Sequence, residues 1–94
     1  MTDLPAAPTP RVAAVVVTFN RLGLLQRLVA RLREVPEVAE ILVVDNASTD
    51  GTTEWLAAQD DLVGRTLGEN RGGAGGFHDG LAWAMDRGAD LAWL

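Results

Sequence analysis

Two short runs in this chain are apolar at every position, and they constrain the fold more than any other feature. Val12-Ala13-Ala14-Val15-Val16-Val17 and Ile41-Leu42-Val43-Val44 are rich in β-branched residues and show no alternation of apolar with polar side chains. A strand with one face in water alternates, whereas a strand covered on both faces does not. The runs therefore predict central strands of a parallel sheet, the first over residues 12–18. Between them Leu22, Leu25, Leu28, Val29 and Leu32 recur at steps of three and four, with Arg27, Arg31 and Glu34 on other faces. This spacing predicts an amphipathic helix with Asn20 at its N-cap and an end before Pro36.

The alternation continues. The cluster from Asp45 to Gly51 favours turns, and Asp50 stands as N-cap for a short helix over roughly residues 52–59. Residues 62–67 form a weaker third strand, and Gly68 to Gly76 reads as a glycine-dense loop. Phe77, Leu81, Ala84 and Met85 mark one face of a further helix, which Gly88 closes, and Leu91 opens a fourth strand. Strands alternating with helices imply βαβ crossovers, hence an α/β fold: a Rossmann-like open parallel sheet with helices on both faces. Residues 1–10, with Pro5, Pro8 and Pro10, read as a weakly ordered tail without the marks of a signal peptide. Residues 11–94 form the domain.

Composition excludes several chemistries. Thirteen acidic residues against eight basic ones, for a net charge of −5, leave no basic stripe to neutralise nucleic-acid phosphates. With no cysteine there is no disulfide, thiolate or cysteine-ligated metal. Every basic residue is arginine. Schiff-base catalysis and the lysine of a Walker A loop are therefore absent.

In an open parallel sheet, ligands bind beyond the carboxyl ends of the strands. Three polar clusters lie there: Thr18 to Arg21, Asp45 to Ser48, and Asn70 to Gly76. Asp45 has two roles open to it, accepting hydrogen bonds from an imide N–H or ribose hydroxyls, or capping its own turn. Arg21 and Arg71 are suited to phosphate or to stacking on a base, with a solvated surface as the alternative; the glycines around Arg71 favour the ligand for it, and Arg21, at a helix start, stays open. Gly72, Gly73, Gly75 and Gly76 precede a helix whose N-terminus attracts anions, so either a diphosphate or a tight turn accounts for them. No G-x-G-x-x-G register exists in this loop. The lone His78 is expected exposed, Asp60-Asp61 in a solvated turn, and Trp55, Trp83 and Trp93 in core or flank packing.

Together Val15 to Arg21, Val43-Val44-Asp45-Asn46-Ala47-Ser48-Thr49-Asp50-Gly51-Thr52, and Glu69-Asn70-Arg71-Gly72-Gly73-Ala74-Gly75-Gly76-Phe77 resemble the N-terminal half of inverting family-two glycosyltransferases of the GT-A fold. The last stretch is most similar to bacterial galactofuranosyl and rhamnosyl transferases of cell-wall polysaccharide assembly. The resemblance implies a UDP- or dTDP-sugar donor. Thr18, Phe19 and Arg21 would line the nucleotide pocket, Asp45 would bind the pyrimidine, Asn70 and Arg71 would hold the base or diphosphate side, and Gly72 and Gly73 would let the backbone approach. It also implies a divalent metal (Mn or Mg) held by an acidic motif after the fourth strand, a later catalytic base, and a polysaccharide or lipid-linked glycan acceptor. Neither motif occurs before Leu94, so the segment is expected to bind donor without catalysis, at a cytoplasmic location that in the full enzyme adjoins the inner face of the plasma membrane. Alternatives are a non-catalytic, self-associating homo-oligomeric module on the same fold, or another nucleotide-binding α/β protein.

Overall fold

The structure, a computed structural model, describes residues 10–93. The tail expected over residues 1–10, Pro10 apart, and the side chain of Trp93 lie outside this description. The elements are β1 (Val12–Thr18), α1 (Leu22–Leu32), β2 (Val38–Asp45), α2 (Thr52–Ala57), β3 (Val63–Thr66), α3 (Gly72–Asp86) and β4 (Leu91–Trp93). They build one sheet of order β3-β2-β1-β4 in which every pairing is parallel.

The apolar runs fill the two central strands, and the reason they do not alternate is visible in the layers. Successive strand residues point to opposite faces. Leu42 and Val44 pack with Ala13, Val15, Trp83 and Ala84 beneath α3, while Ile41 and Val43 pack with Leu25, Val29 and Leu56 beneath α1 and α2. Because β4 returns to the far side of β1, the winding of the sheet reverses there, which is where an open α/β sheet leaves a crevice. β4 pairs only with Val12 to Ala14. Beyond them, the edge of β1 has no strand neighbour among the described residues.

Three local expectations change. The stretch expected as a glycine-dense loop is mostly helix: α3 begins at Gly72, which alone of Gly72, Gly73, Gly75 and Gly76 has a positive φ, 72°. The helix also presents a different face from the one its apolar residues suggest. Phe77, Leu81 and Met85 are exposed, and the buried side is Gly76, Gly80, Trp83 and Ala84. The cause is steric. A Cβ on Gly76 would stand 2.6 Å from Val17 Cγ1, and one on Gly80 2.4 Å from Val15 Cγ1, so missing side chains let α3 settle onto the valines of β1. Finally, Asn20 does not cap α1. Its backbone is left-handed, with φ 48°, Arg21 takes the N-cap position, and the Leu22 N–H donates to Asp50 Oδ2 at 3.0 Å. Gly88 closes α3 as expected, with φ 84°. Trp83 is in the core, with the Arg65 guanidinium 4.7 Å from its ring centroid, and Trp55 flanks the opposite layer. Asp61 is exposed and paired with Arg33.

At the opposite end of the sheet, Glu40 on β2 accepts hydrogen bonds from Arg87, after α3, and from Arg11, before β1. The Arg87 hydrogen bond, opposed by partial burial, holds the Glu40 carboxyl below its ordinary value of 4.5. A depressed carboxyl stabilises the fold above its unfolded pKa and loses that contribution as pH falls through the folded value. Glu40→Gln should therefore lower the thermal midpoint at pH 7 by about 5 °C, roughly 1 kcal/mol for a domain of this size and for partly exposed arginines. The gap between variant and wild type should close in melts below pH 4.5.

The glycine face gives a sharper contrast. Gly80→Ala forces a methyl into Val15 and should cost about 1–3 kcal/mol in urea unfolding. Gly73→Ala, in the same helix with nothing within 4 Å of the added Cβ, should instead stabilise by about 0.5–1 kcal/mol.

Candidate functional site

Three connections leave the carboxyl edge of the sheet among the described residues, and two consecutive residues at the end of β2 join them. The Asp45 carboxylate is fully buried. Its Oδ1 accepts the Ser48 N–H at 3.0 Å, and its Oδ2 accepts the hydroxyls of Thr53 at 2.7 Å and Thr66 at 3.2 Å. One carboxylate thus ties β2 to its own turn, to α2 and to β3. Asn46, 2 % exposed, faces the other way. Its Oδ1 accepts the Arg71 N–H at 3.0 Å, its Nδ2 donates to the Gly72 carbonyl at 2.9 Å, and its own N–H extends the ladder to the Thr18 carbonyl at 2.8 Å. An amide suits this place because it donates and accepts at once.

The loop after β1 is fastened to the loop after β2 by reciprocal bonds. Asn20 N–H donates to Ser48 Oγ at 2.9 Å, and Thr49 N–H donates to Asn20 Oδ1 at 2.7 Å. The left-handed Asn20 turns the chain so that Phe19 and Arg21 flank the end of β1. At the third loop, Asn70 Oδ1 accepts the Gly72 N–H at 2.7 Å, closing the start of α3.

These connections surround an open cavity of about 390 Å³ between the N-terminal ends of α1 and α3. Of the residues singled out from the sequence, Thr18, Phe19, Arg21, Asn70, Gly72 and Gly73 line it. Asp45 and Arg71 do not. Asp45 is enclosed with its three donors, and the Arg71 guanidinium lies back along α3, 3.8 Å from Asp79. The lining also includes Asn46, which sequence reading missed, and the apolar residues Leu24, Leu25 and Leu28. The signal for Asn46 was a second polar residue directly after the apolar run of β2, before the turn residues proper. Among the described residues Arg21 is the one charged residue on the wall, and the first residues of α3 bring the positive end of a helix dipole to it. The site therefore favours a ligand that is part anion and part apolar surface. His78 is exposed on α3 and is not on the wall. Among the described residues no three His, Asp or Glu side chains come together to hold a metal.

The chain is similar to known proteins in sequence and in fold. A family model described as glycosyl transferase family 2 matches residues 13–91. The chain is 37% identical over 87 residues to an undecaprenyl-phosphate mannosyltransferase of Micrococcus luteus, covering 86% of this chain and 35% of that protein. It is 37% identical over 90 residues to galactofuranosyltransferase GlfT1 of Mycobacterium tuberculosis, covering 92% and 30%. Among solved structures, it superposes on a mannosyltransferase from Pyrobaculum calidifontis, in complex with GDP-Man and Mn2+, with a TM-score of 0.68 and 30% identity, covering 82% of this chain and 25% of the other. The chain thus spans about a third or less of the length of these proteins.

The joint at the end of β2 is open to a direct check. Asp45→Asn replaces a carboxylate oxygen that accepts donors with an amide that cannot, and should cost about 1.5–3 kcal/mol. Asn46→Ala removes both side-chain bonds to the start of α3 and should cost about 1–3 kcal/mol. Urea unfolding measures both, and hydrogen exchange in the Asn46 variant should accelerate first at the N-terminal turn of α3.

Proposed function

The chain belongs to glycosyl transferase family 2, and from that premise we propose that it is the part of such an enzyme that binds the nucleotide of a sugar donor. One observation carries the reading. The cavity at the end of β1 combines an arginine, the start of a long helix and an apolar wall, and no acid among the described residues lines it. A nucleoside diphosphate has this division of character. Its diphosphate would lie between Arg21 and the Gly72-Gly73 backbone, and its base against Phe19, between Thr18 and Asn70. Arg71 would leave Asp79 to reach the phosphates. An exposed ion pair contributes little, so the exchange is inexpensive.

Asp45 enters this reading first through the turn it holds. Direct contact with a base N–H requires the residues that enclose the carboxylate to move aside, since Oδ1 has room for a second hydrogen bond but is buried. The donor is proposed to be a UDP- or dTDP-sugar, with galactofuranose or rhamnose as the group transferred to a cell-wall or surface glycan, polymeric or lipid-linked. The likeness to a galactofuranosyltransferase and to a mannosyltransferase named for undecaprenyl phosphate supports this class of acceptor. We also propose that the described segment does not transfer sugar by itself. Among the described residues no carboxylate or histidine lines the cavity to deprotonate an acceptor hydroxyl. The divalent metal that such enzymes imply, and that the Pyrobaculum calidifontis structure contains, finds no ligand set among the described residues. Among the described residues no helix is long and apolar enough to cross a membrane.

Calorimetric titration with UDP, dTDP and GDP tests the proposal. Binding of UDP or dTDP is expected, weakened about tenfold or more in Arg21→Ala and in Arg71→Ala, as loss of a charge-assisted contact implies. A folded sample with no affinity for any of the three sinks it. If that sample also sediments as a dimer, the open edge of β1 beside Leu28, Leu32 and Phe77 becomes the interface of a self-associating module.

A further inference from the structure

Half of the arginines fall in one stretch that contains no acid. Residues 21–33 hold Arg21, Arg27, Arg31 and Arg33, while all 13 acidic residues lie elsewhere in a chain of net charge −5. On α1, Leu24, Arg27, Leu28 and Arg31 stand at i, i+3, i+4 and i+7, the spacing of one continuous helix face. All four are exposed, Leu24 at 51% and Leu28 at 41%. The packing side of α1 is Leu25 and Val29; Arg27 and Arg31 turn away from it, and Leu24 and Leu28 stand between, at the rim of the cavity. Arg33 is committed to Asp61 and Gln59. Arg27 and Arg31 make no ion pair among the described residues.

An exposed leucine or an unpaired surface arginine is ordinary. Two of each, interleaved on one helix face, match a surface that is anionic outside and apolar just beneath. We propose that this face of α1 docks on an anionic lipid bilayer, with the two guanidinium groups at the level of the lipid phosphates and the two leucines in the boundary with the acyl chains. A single-stranded nucleic acid fits less well, because the quartet offers no aromatic ring for a base to stack on and would leave both leucines in water. Leu24 and Leu28 also line the cavity. Docking therefore brings the cavity mouth to the membrane surface, within reach of a lipid-linked acceptor. That consequence rests on the proposed donor site; the docking does not.

Flotation of the chain with phosphatidylcholine vesicles, with and without phosphatidylglycerol, tests the docking. Binding is expected only with phosphatidylglycerol present, and it should fall as salt is added. Arg27→Gln with Arg31→Gln should reduce partitioning about thirtyfold, at about 1 kcal/mol for each arginine, while leaving the calorimetric affinity for UDP unchanged. Leu24→Ser with Leu28→Ser should reduce partitioning roughly tenfold. Circular dichroism should show both variants folded, since all four residues are exposed; if the leucine pair unfolds the chain, Leu24→Gln alone takes its place. Failure of the wild type to float with anionic vesicles overturns the docking. So does undiminished flotation of the arginine variant. Loss of flotation in the arginine variant with none in the leucine variant also overturns it, since a face that only attracts charge does not seat its leucines at the acyl boundary. Vesicle binding without nucleotide binding refutes the donor site alone, and the converse refutes the docking alone.

Discussion

A buried carboxylate with three hydrogen-bond donors around it holds the carboxyl edge of this sheet together. Asp45 has no exposed surface, and burying a charge is costly unless its oxygens are satisfied. Ser48, Thr53 and Thr66 satisfy them, so the turn after β2, the short helix α2 and the edge strand β3 have one arrangement that avoids the cost. Asn46 then passes the constraint to the other half of the molecule by closing on both the N–H of Arg71 and the carbonyl of Gly72. Neighbouring residues on a strand point to opposite faces, which is how two consecutive side chains secure elements on both sides of the sheet.

The cavity depends on a second constraint, the closeness of α3 to β1. Gly76 and Gly80 meet Val17 and Val15 at distances no Cβ can tolerate. With side chains at those positions α3 would stand away from the sheet, and its first turn would leave the end of β1. The glycines therefore serve the site by setting the depth of a helix whose N-terminus forms one wall. The opposite wall is α1, whose own start is fixed by Asp50 through the Leu22 N–H. One helix that bounds the cavity is thus seated by its own glycines against β1, and the other is fixed at its start by a carboxylate from the turn after β2.

Much of this was legible in the sequence. The all-apolar runs of β1 and β2, the period of α1 and the closing Gly88 each encode a local preference that packing agrees with, and they appear where expected. Thr18, Phe19, Arg21, Asn70, Gly72 and Gly73 come together because strand ends in a parallel sheet share one edge. The packing face of α3 was not legible, since periodicity counts apolar side chains and this face is made partly by their absence. The cap of α1 was not legible either. Asn20 is a good N-cap by type, but the donor at Leu22 is taken by Asp50, 28 residues along the chain.

What the amino-acid sequence determined by itself is the set of elements, their parallel order and the polar clusters at the strand ends, because these follow from spacing and from backbone preference within a few residues. It also left both roles of Asp45 open. Only the tertiary structure decided where each polar side chain is engaged: it enclosed Asp45, brought Asn46 to the cavity and laid Arg71 along α3 toward Asp79. The physical reason is that a buried polar group must find its partners. Those partners come from whichever segments the fold brings close, at separations that no local pattern records.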